Sequence, residues 1–323
     1  MEAKQIISEI KANLDKTGGL KHVYFVACGG SQAAIFGGYY LLNKEAKTFG
    51  TSIFNSNEFV HATPAMLDEN CICIICSLKA TPETVEAVKT ANKRGAVTIA
   101  MTGFPTTDMA KNGQYVVVYS NGENQIYSQG NQANSLRIGF ELLKQYEGYD
   151  KYDTAMDAFT KVDQIIEKAK KYIDKIAIKF AEEYKDDEIF YVMASGPAYS
   201  TAYTMSYCHF MEMQWKHAVP MHTGEYFHGP FETTDKNLPI ILLMSEGSTR
   251  PLDERALKFL NRYAARVTVI DAKELGINII DDSVVEFFNS VIMVPIERSI
   301  VSKMAEVRNH SMDQRRYMWK VEY

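Results

Sequence analysis

Residues 207–232, YCHFMEMQWKHAVPMHTGEYFHGPFE, hold the side chains in this chain best suited to chemistry. Glu212 lies on an apolar helix among Phe210, Met211, Met213 and Trp215, and a turn beginning at Pro220 presents His222, Glu225 and His228. Apolar neighbours and the C-terminal end of a helix dipole both disfavour a charged carboxylate, whereas Lys216, one turn on, acts in the opposite sense. A carboxylate in that balance suits a general base acting on a carbon acid. The competing reading is a helix end followed by a solvated His-rich turn. The same turn raises Tyr226 and Phe227 between Gly224 and Gly229-Pro230, which predicts an aromatic crest that a partner would cover.

Three more loops could hold a ligand. Residues 28–31, 77–81 and 195–197 combine small or hydroxyl side chains with a helix start, where backbone N–H groups favour phosphate. Each also fits a plain N-cap. No Walker A sequence is present. The dinucleotide fingerprint fails as well, because Ser31 and Gln32 follow Gly29-Gly30 and the second strand ends at Asn55 without an acidic residue. A phosphate carried by a small molecule is the remaining ligand.

The elements that must position these groups alternate strand and helix. Apolar runs at 22–27, 51–55, 71–76, in AVTIAMTG and in YVVVYS predict parallel strands, with Pro82 opening a helix that Gly95 closes. Long helices occupy the middle of the chain, and then IFYVMASGPAYSTAYTMSY repeats the order strand, small-residue turn, helix of VYFVACGGSQAAIFGGYY. LPIILLMSEG, PLDERALKFLNRYAA and RVTVIDA complete a second half. The expected fold is α/β: two doubly wound parallel-sheet halves related by an internal repeat. The first spans 1–150 with the N-terminal helix, and the second spans 151–323 with the bridging helices and a folded C-terminal tail.

At 323 residues the chain has room for two domains of about 150 residues each. A net charge of -5 without a Lys/Arg stripe argues against nucleic acid and membrane as partners. No apolar run reaches the roughly 18–20 residues of a membrane span, and the amphipathic N-terminus is unlike a signal peptide, so a cytoplasmic location is expected. Cys28, Cys71, Cys73, Cys76 and Cys208 form neither a disulfide framework nor a zinc pattern; buried reduced thiols are expected.

HVYFVACGGS, ATPETVEAVK, MASGPAYS, MEMQW, GEYFHGPFE and RRYMWKVEY together resemble the fructosamine deglycases, sugar-isomerase (SIS) proteins similar to the isomerase half of glucosamine-6-phosphate synthase. The likeness extends over nearly the whole chain. It implies two SIS subdomains with the tail over the active site, no metal or other cofactor, and cleavage of a phosphorylated glycated amino acid to glucose 6-phosphate and the free amino acid. Glu212 matches the base for the C1/C2 proton shift, and His228 matches the histidine that handles the sugar ring oxygen. Gly30, Ser31, Ser77 and Thr81 lie in the phosphate loops, with Ser195 and Glu225 as further substrate contacts. Where relatives carry Ser-x-Ser-Gly, this chain reads Cys76-Ser77-Leu78-Lys79, so Lys79 is expected to supply a charge. Lys320 falls near the synthase's Schiff-base lysine. The resemblance further implies a homodimer in which His228 serves the neighbouring subunit's site. The alternatives on the same scaffold are a ketose/aldose isomerase or glucosamine 6-phosphate deaminase. A non-catalytic sugar-phosphate sensor would be expected to add a helix-turn-helix domain.

Overall fold

The computed structural model describes residues 2–322. The chain divides into two compact units, Met1–Thr160 and Lys161–Tyr323. The first unit begins with α1 (Ala3–Leu14), β1 (His22–Ala27), α2 (Gly29–Glu45), β2 (Gly50–Asn55) and α3 (Ser56–His61). It continues through β3 (Cys71–Ser77), α4 (Pro82–Lys93), β4 (Val97–Thr102), α5 (Asp108–Asn112), β5 (Tyr115–Val118) and α6 (Asn131–Glu147). All five strands are parallel, in the order β2-β1-β3-β4-β5. Helices on the sheet faces explain why β3, CICIICS, is buried at every position. Tyr24, Val26, Cys73, Ile75, Val88, Ala91 and Met109 share one side of this core. Each large aliphatic side chain so buried contributes about 1.5–3 kcal/mol.

The division between units falls within α7 (Tyr152–Tyr184). The second unit then runs through β6 (Ile189–Ala194), a 3₁₀ turn, α8 (Tyr199–Tyr203), a π-helix (Thr204–Gln214) and β7 (His217–His222). After these come α9 (Thr223–Tyr226), β8 (Ile240–Met244), α10 (Arg250–Tyr263), β9 (Val267–Asp271) and α11 (Asn289–Val307). Its four parallel strands are ordered β7-β6-β8-β9. In both units the second strand lies on one side of the first and the third on the other. The direction of winding therefore reverses beside β1 and β6, which opens a crevice at their carboxyl ends.

Two readings of residues 207–232 need correction. The segment expected to be an ordinary helix is a π-helix, its i→i+5 bonds making a wider turn of a kind that recurs at functional sites. Pro220 does not break the chain into a turn but sits inside β7, in register with Val192. That is possible because β7 is an edge strand, where the missing N–H of proline costs no ladder bond.

Candidate functional site

In the first unit the winding reversal lies between β1 and β3, which brings the loops after both strands side by side. Gly29, with φ +54°, turns the chain out of β1 into α2, whose first turn carries Gly30 and a half-buried Ser31. The Ser31 hydroxyl reaches the Cys76 thiol, which burial pushes up to about 12, so that sulfur is uncharged at neutral pH. In the loop after β3, the Thr81 N–H donates to Ser77 Oγ at 3.2 Å, and Thr81 Oγ1 lies 3.0 Å from Thr84 Oγ1. Neither Cys28 nor Thr81 caps its helix through a side chain, which removes the plain N-cap reading of these two loops. Ala80, within the second loop, has φ +58°, a left-handed conformation that costs a non-glycine residue about 1–3 kcal/mol and is found where a loop must hold one shape. Lys79 beside it is exposed.

The second unit repeats this geometry with different consequences. Gly196 has φ +51°, and a Cβ there would lie 2.6 Å from Thr249 Oγ1, so only glycine fits the turn after β6. Ser195 departs from the expectation of a presented hydroxyl. It is fully buried, with Oγ 3.1 Å from Ser245 Oγ and 3.2 Å from the Thr249 carbonyl. Ser245 in turn donates to Asp253 Oδ2 at 2.6 Å, and Thr223 donates to Asp253 Oδ1 at 2.8 Å. This carboxylate-centred hydroxyl network welds β6, β8 and α10 together. The sequence reading did not single out its centre, Asp253.

Tyr226 is also not where the turn pattern suggested. It is fully buried against Phe227, Phe231 and Phe259, and its hydroxyl meets that of Thr234. The aromatic pair anchors the turn to its own unit, while Glu225 and His228 are exposed. The His228 backbone N–H binds the Glu225 carbonyl at 2.9 Å, and its ring has no hydrogen bond among the described residues. His222 points inward, Nδ1 accepting from the Gly224 N–H at 3.1 Å.

Glu212 lies near the end of the π-helix with its side chain 22% exposed, and the cation beside it is Arg315, not Lys216. Lys216 is buried and pairs with Glu188 at 2.7 Å. Arg315 Nη2 meets Glu212 Oε1 at 2.7 Å, while Nη1 donates to the carbonyls of Met312 and Gln314 at 2.8 and 2.9 Å. Lys320 donates to the Arg315 carbonyl at 2.6 Å. The expected folded tail is therefore present, and it crosses Glu212. Arg308 fastens the same helix end through the Gln214 carbonyl and side chain, and Arg316 stacks over Trp215 at 4.3 Å.

Three residues before Glu212, His209 Nδ1 lies 2.7 Å from Glu297 Oε2 of α11, both side chains being buried. Arg298 Nη1 lies 3.2 Å from His209 Nε2. Since a guanidinium only donates, the proton of a neutral His209 sits on Nδ1. Burial raises the pKa of Glu297 above the ordinary glutamate value, against the opposing influence of His209. Neither this cluster nor Arg315 was predicted from the sequence.

A SIS domain family model matches residues 20–136. Fructosamine deglycase FrlB of Bacillus subtilis (strain 168) is 40% identical over 318 residues, 98% of this chain and 97% of its own. This chain belongs to the fructosamine deglycase family of SIS proteins. A Salmonella typhimurium LT2 structure described as a phosphosugar isomerase superposes with a TM-score of 0.95 and 39% identity, covering 100% of this chain and 98% of that one. The family extends to the fructoselysine 6-phosphate deglycase of Escherichia coli (strain K12), 23% identical over 95% of this chain and 86% of its own. No described helix is long and apolar enough to cross a membrane.

Proposed function

We propose that this protein hydrolyses a fructosamine 6-phosphate, such as a phosphorylated glycated amino acid, to glucose 6-phosphate and the free amino acid. The observation that carries the reading is the 40% identity to a fructosamine deglycase over almost the full length of both chains. Within this reading we propose the following roles. Ser31, Ser77, Thr81 and the first-turn N–H groups of α2, including Gly30, receive the sugar phosphate, with Lys79 adding charge. His228 assists ring opening, which frees the C2 carbonyl and acidifies C1. Glu212 removes a proton from C1 to form an enaminol and returns it to C2, leaving an imine at C1. Water adds to the imine, and the amine departs. Phosphate binding holds the reacting carbons in place for the transfer. Glu225, exposed one turn before His228, faces solvent where the amino-acid portion would extend.

The enzyme is a cytoplasmic carbon–nitrogen hydrolase in this reading, and it works as a homodimer. An exposed His228 ring without a hydrogen-bond partner among the described residues supports service to a neighbouring subunit. Mixing Glu212→Gln with His228→Ala subunits would then restore one intact site per mixed dimer. No recovery despite proven subunit exchange would assign both residues to one chain's site.

The reaction itself is tested by incubating the protein with a panel of phosphorylated glycated amino acids and with glucosamine 6-phosphate. Equal amounts of glucose 6-phosphate and free amino acid from the former, and none from the latter, are expected. Turnover of glucosamine 6-phosphate alone, or interconversion of ketose and aldose phosphates without amine release, would replace this reading with one of its rivals.

A further inference from the structure

The C-terminal tail makes a contact that packing alone does not call for. Arg315 is a buried arginine whose side chain is only 9% exposed, yet its single ionic partner among the described residues is Glu212. Two tail carbonyls saturate its other arm, so the guanidinium is fixed to its own backbone before it reaches the carboxylate. Lys320 holds that backbone from the far side through the Arg315 carbonyl, and Trp319 lies 5.7 Å from the guanidinium. The guanidinium thus forms an ion pair with Oε1 of Glu212 at 2.7 Å, and Oε2 makes no hydrogen bond among the described residues.

We infer that Arg315 is a positioning residue for Glu212: it pins Oε1 so that Oε2 alone meets the substrate proton, and Lys320 is its anchor. The inference rests on the reading of Glu212 as the base. A carboxylate at the end of a wide π-turn has rotational freedom that a proton transfer does not tolerate. Misplacement by about 1 Å can cost roughly 10²-fold in rate. A guanidinium suits this task better than an ammonium, because its planar fork can grip the tail carbonyls with one arm and the carboxylate with the other. The same geometry changes what is expected of Lys320. Its ammonium is engaged with a backbone carbonyl, so it acts through the tail and forms no bond to the sugar.

The test uses the full-length enzyme with a phosphorylated glycated amino acid, comparing Arg315→Ala, Arg315→Lys, Lys320→Met and Glu212→Gln. Arg315→Ala is expected to lower kcat on the order of 10–10²-fold with KM little changed, the pattern of a misplaced base. Guanidinium ion at non-denaturing concentration should recover part of that loss. Arg315→Lys should fall between wild type and Arg315→Ala, and Lys320→Met should lose less than either. Combining Arg315→Ala with Glu212→Gln should cost no more than Glu212→Gln alone, because both changes act on one carboxylate.

A wild-type or raised kcat in Arg315→Ala, a loss confined to KM, or losses that multiply in the double variant would each overturn the inference. Circular dichroism and thermal unfolding establish that each variant is folded. If Arg315→Ala is not, Arg315→Lys decides by the same kcat and KM criteria. An inactive Glu212→Gln beside a normal Arg315→Ala would sink this inference alone. A normal Glu212→Gln would sink the base assignment and this inference with it.

Discussion

The two crevices are built on one plan and finished differently. In both, a parallel strand ends in a small-residue turn with a left-handed glycine, Gly29 after β1 and Gly196 after β6, beside the loop of the next strand across the winding reversal. In the first unit Ser31 and Thr81 are half-buried and Lys79 is exposed, while Ser77 is buried. In the second the corresponding hydroxyls are consumed internally, Ser195 and Ser245 lying fully buried around Asp253. The chemistry-bearing groups of that unit come from elsewhere, namely the π-helix, the turn after β7 and the tail. In the proposed function one half holds an anion and the other moves a proton.

That contrast predicts that lesions in the two units fail in different ways. Glu212→Gln preserves shape and removes the base, so kcat should fall by about 10²–10⁴-fold while glucose 6-phosphate still binds, measured by steady-state kinetics and calorimetry. Thr81→Ala removes one hydroxyl from the anion loop and should weaken phosphosugar binding by about 1.5–3 kcal/mol, with kcat at saturation little affected. Unchanged affinity would make that loop structural. Ser195→Ala should leave phosphosugar binding unchanged and cost about 1–3 kcal/mol of stability, because it strands buried partners. A raised KM with an unchanged unfolding midpoint would erase the distinction between the crevices.

The smallest effect concerns pH. Burial raises the pKa of Glu297, so the folded protein retains this proton at pH values where the unfolded chain has released it. The unfolded state then binds fewer protons, and stability must fall as pH rises from the ordinary glutamate value towards the raised one. Glu297→Gln should flatten that slope in thermal unfolding followed across the window. An unaltered slope would mean that other groups set it.

Much of this was legible in the sequence. Short apolar runs rich in isoleucine such as CICIICS fit strands buried on both faces, and the structure has this one as a strand buried at every position; GEYFHGPFE with MEMQW upstream drew attention to His228 and Glu212. What escaped had physical causes. Pro220 disguised β7, because its tolerance at an edge depends on a strand order that no local pattern reveals. The π-helix was unreadable because Thr204–Gln214 is apolar on most sides, leaving no stripe whose period could distinguish one helix type from another. Tyr226 looked exposed between its glycines, but one of the rings that bury it, Phe259 of α10, is distant in sequence. Pairings such as Arg315 with Glu212 and Glu297 with His209 are tertiary contacts. Composition and spacing carry no signal for them.

The most direct test of the central claim, that a proton leaves C1 to the Glu212 carboxylate, is a single-turnover comparison with enzyme in excess. Substrate bearing deuterium at C1 would be set against ordinary substrate, with glucose 6-phosphate formation followed in both. The account predicts slower formation from the deuterated substrate in the wild-type enzyme. Equal rates for the two substrates, with chemistry limiting the single turnover, would contradict proton removal from C1 as the step this site performs.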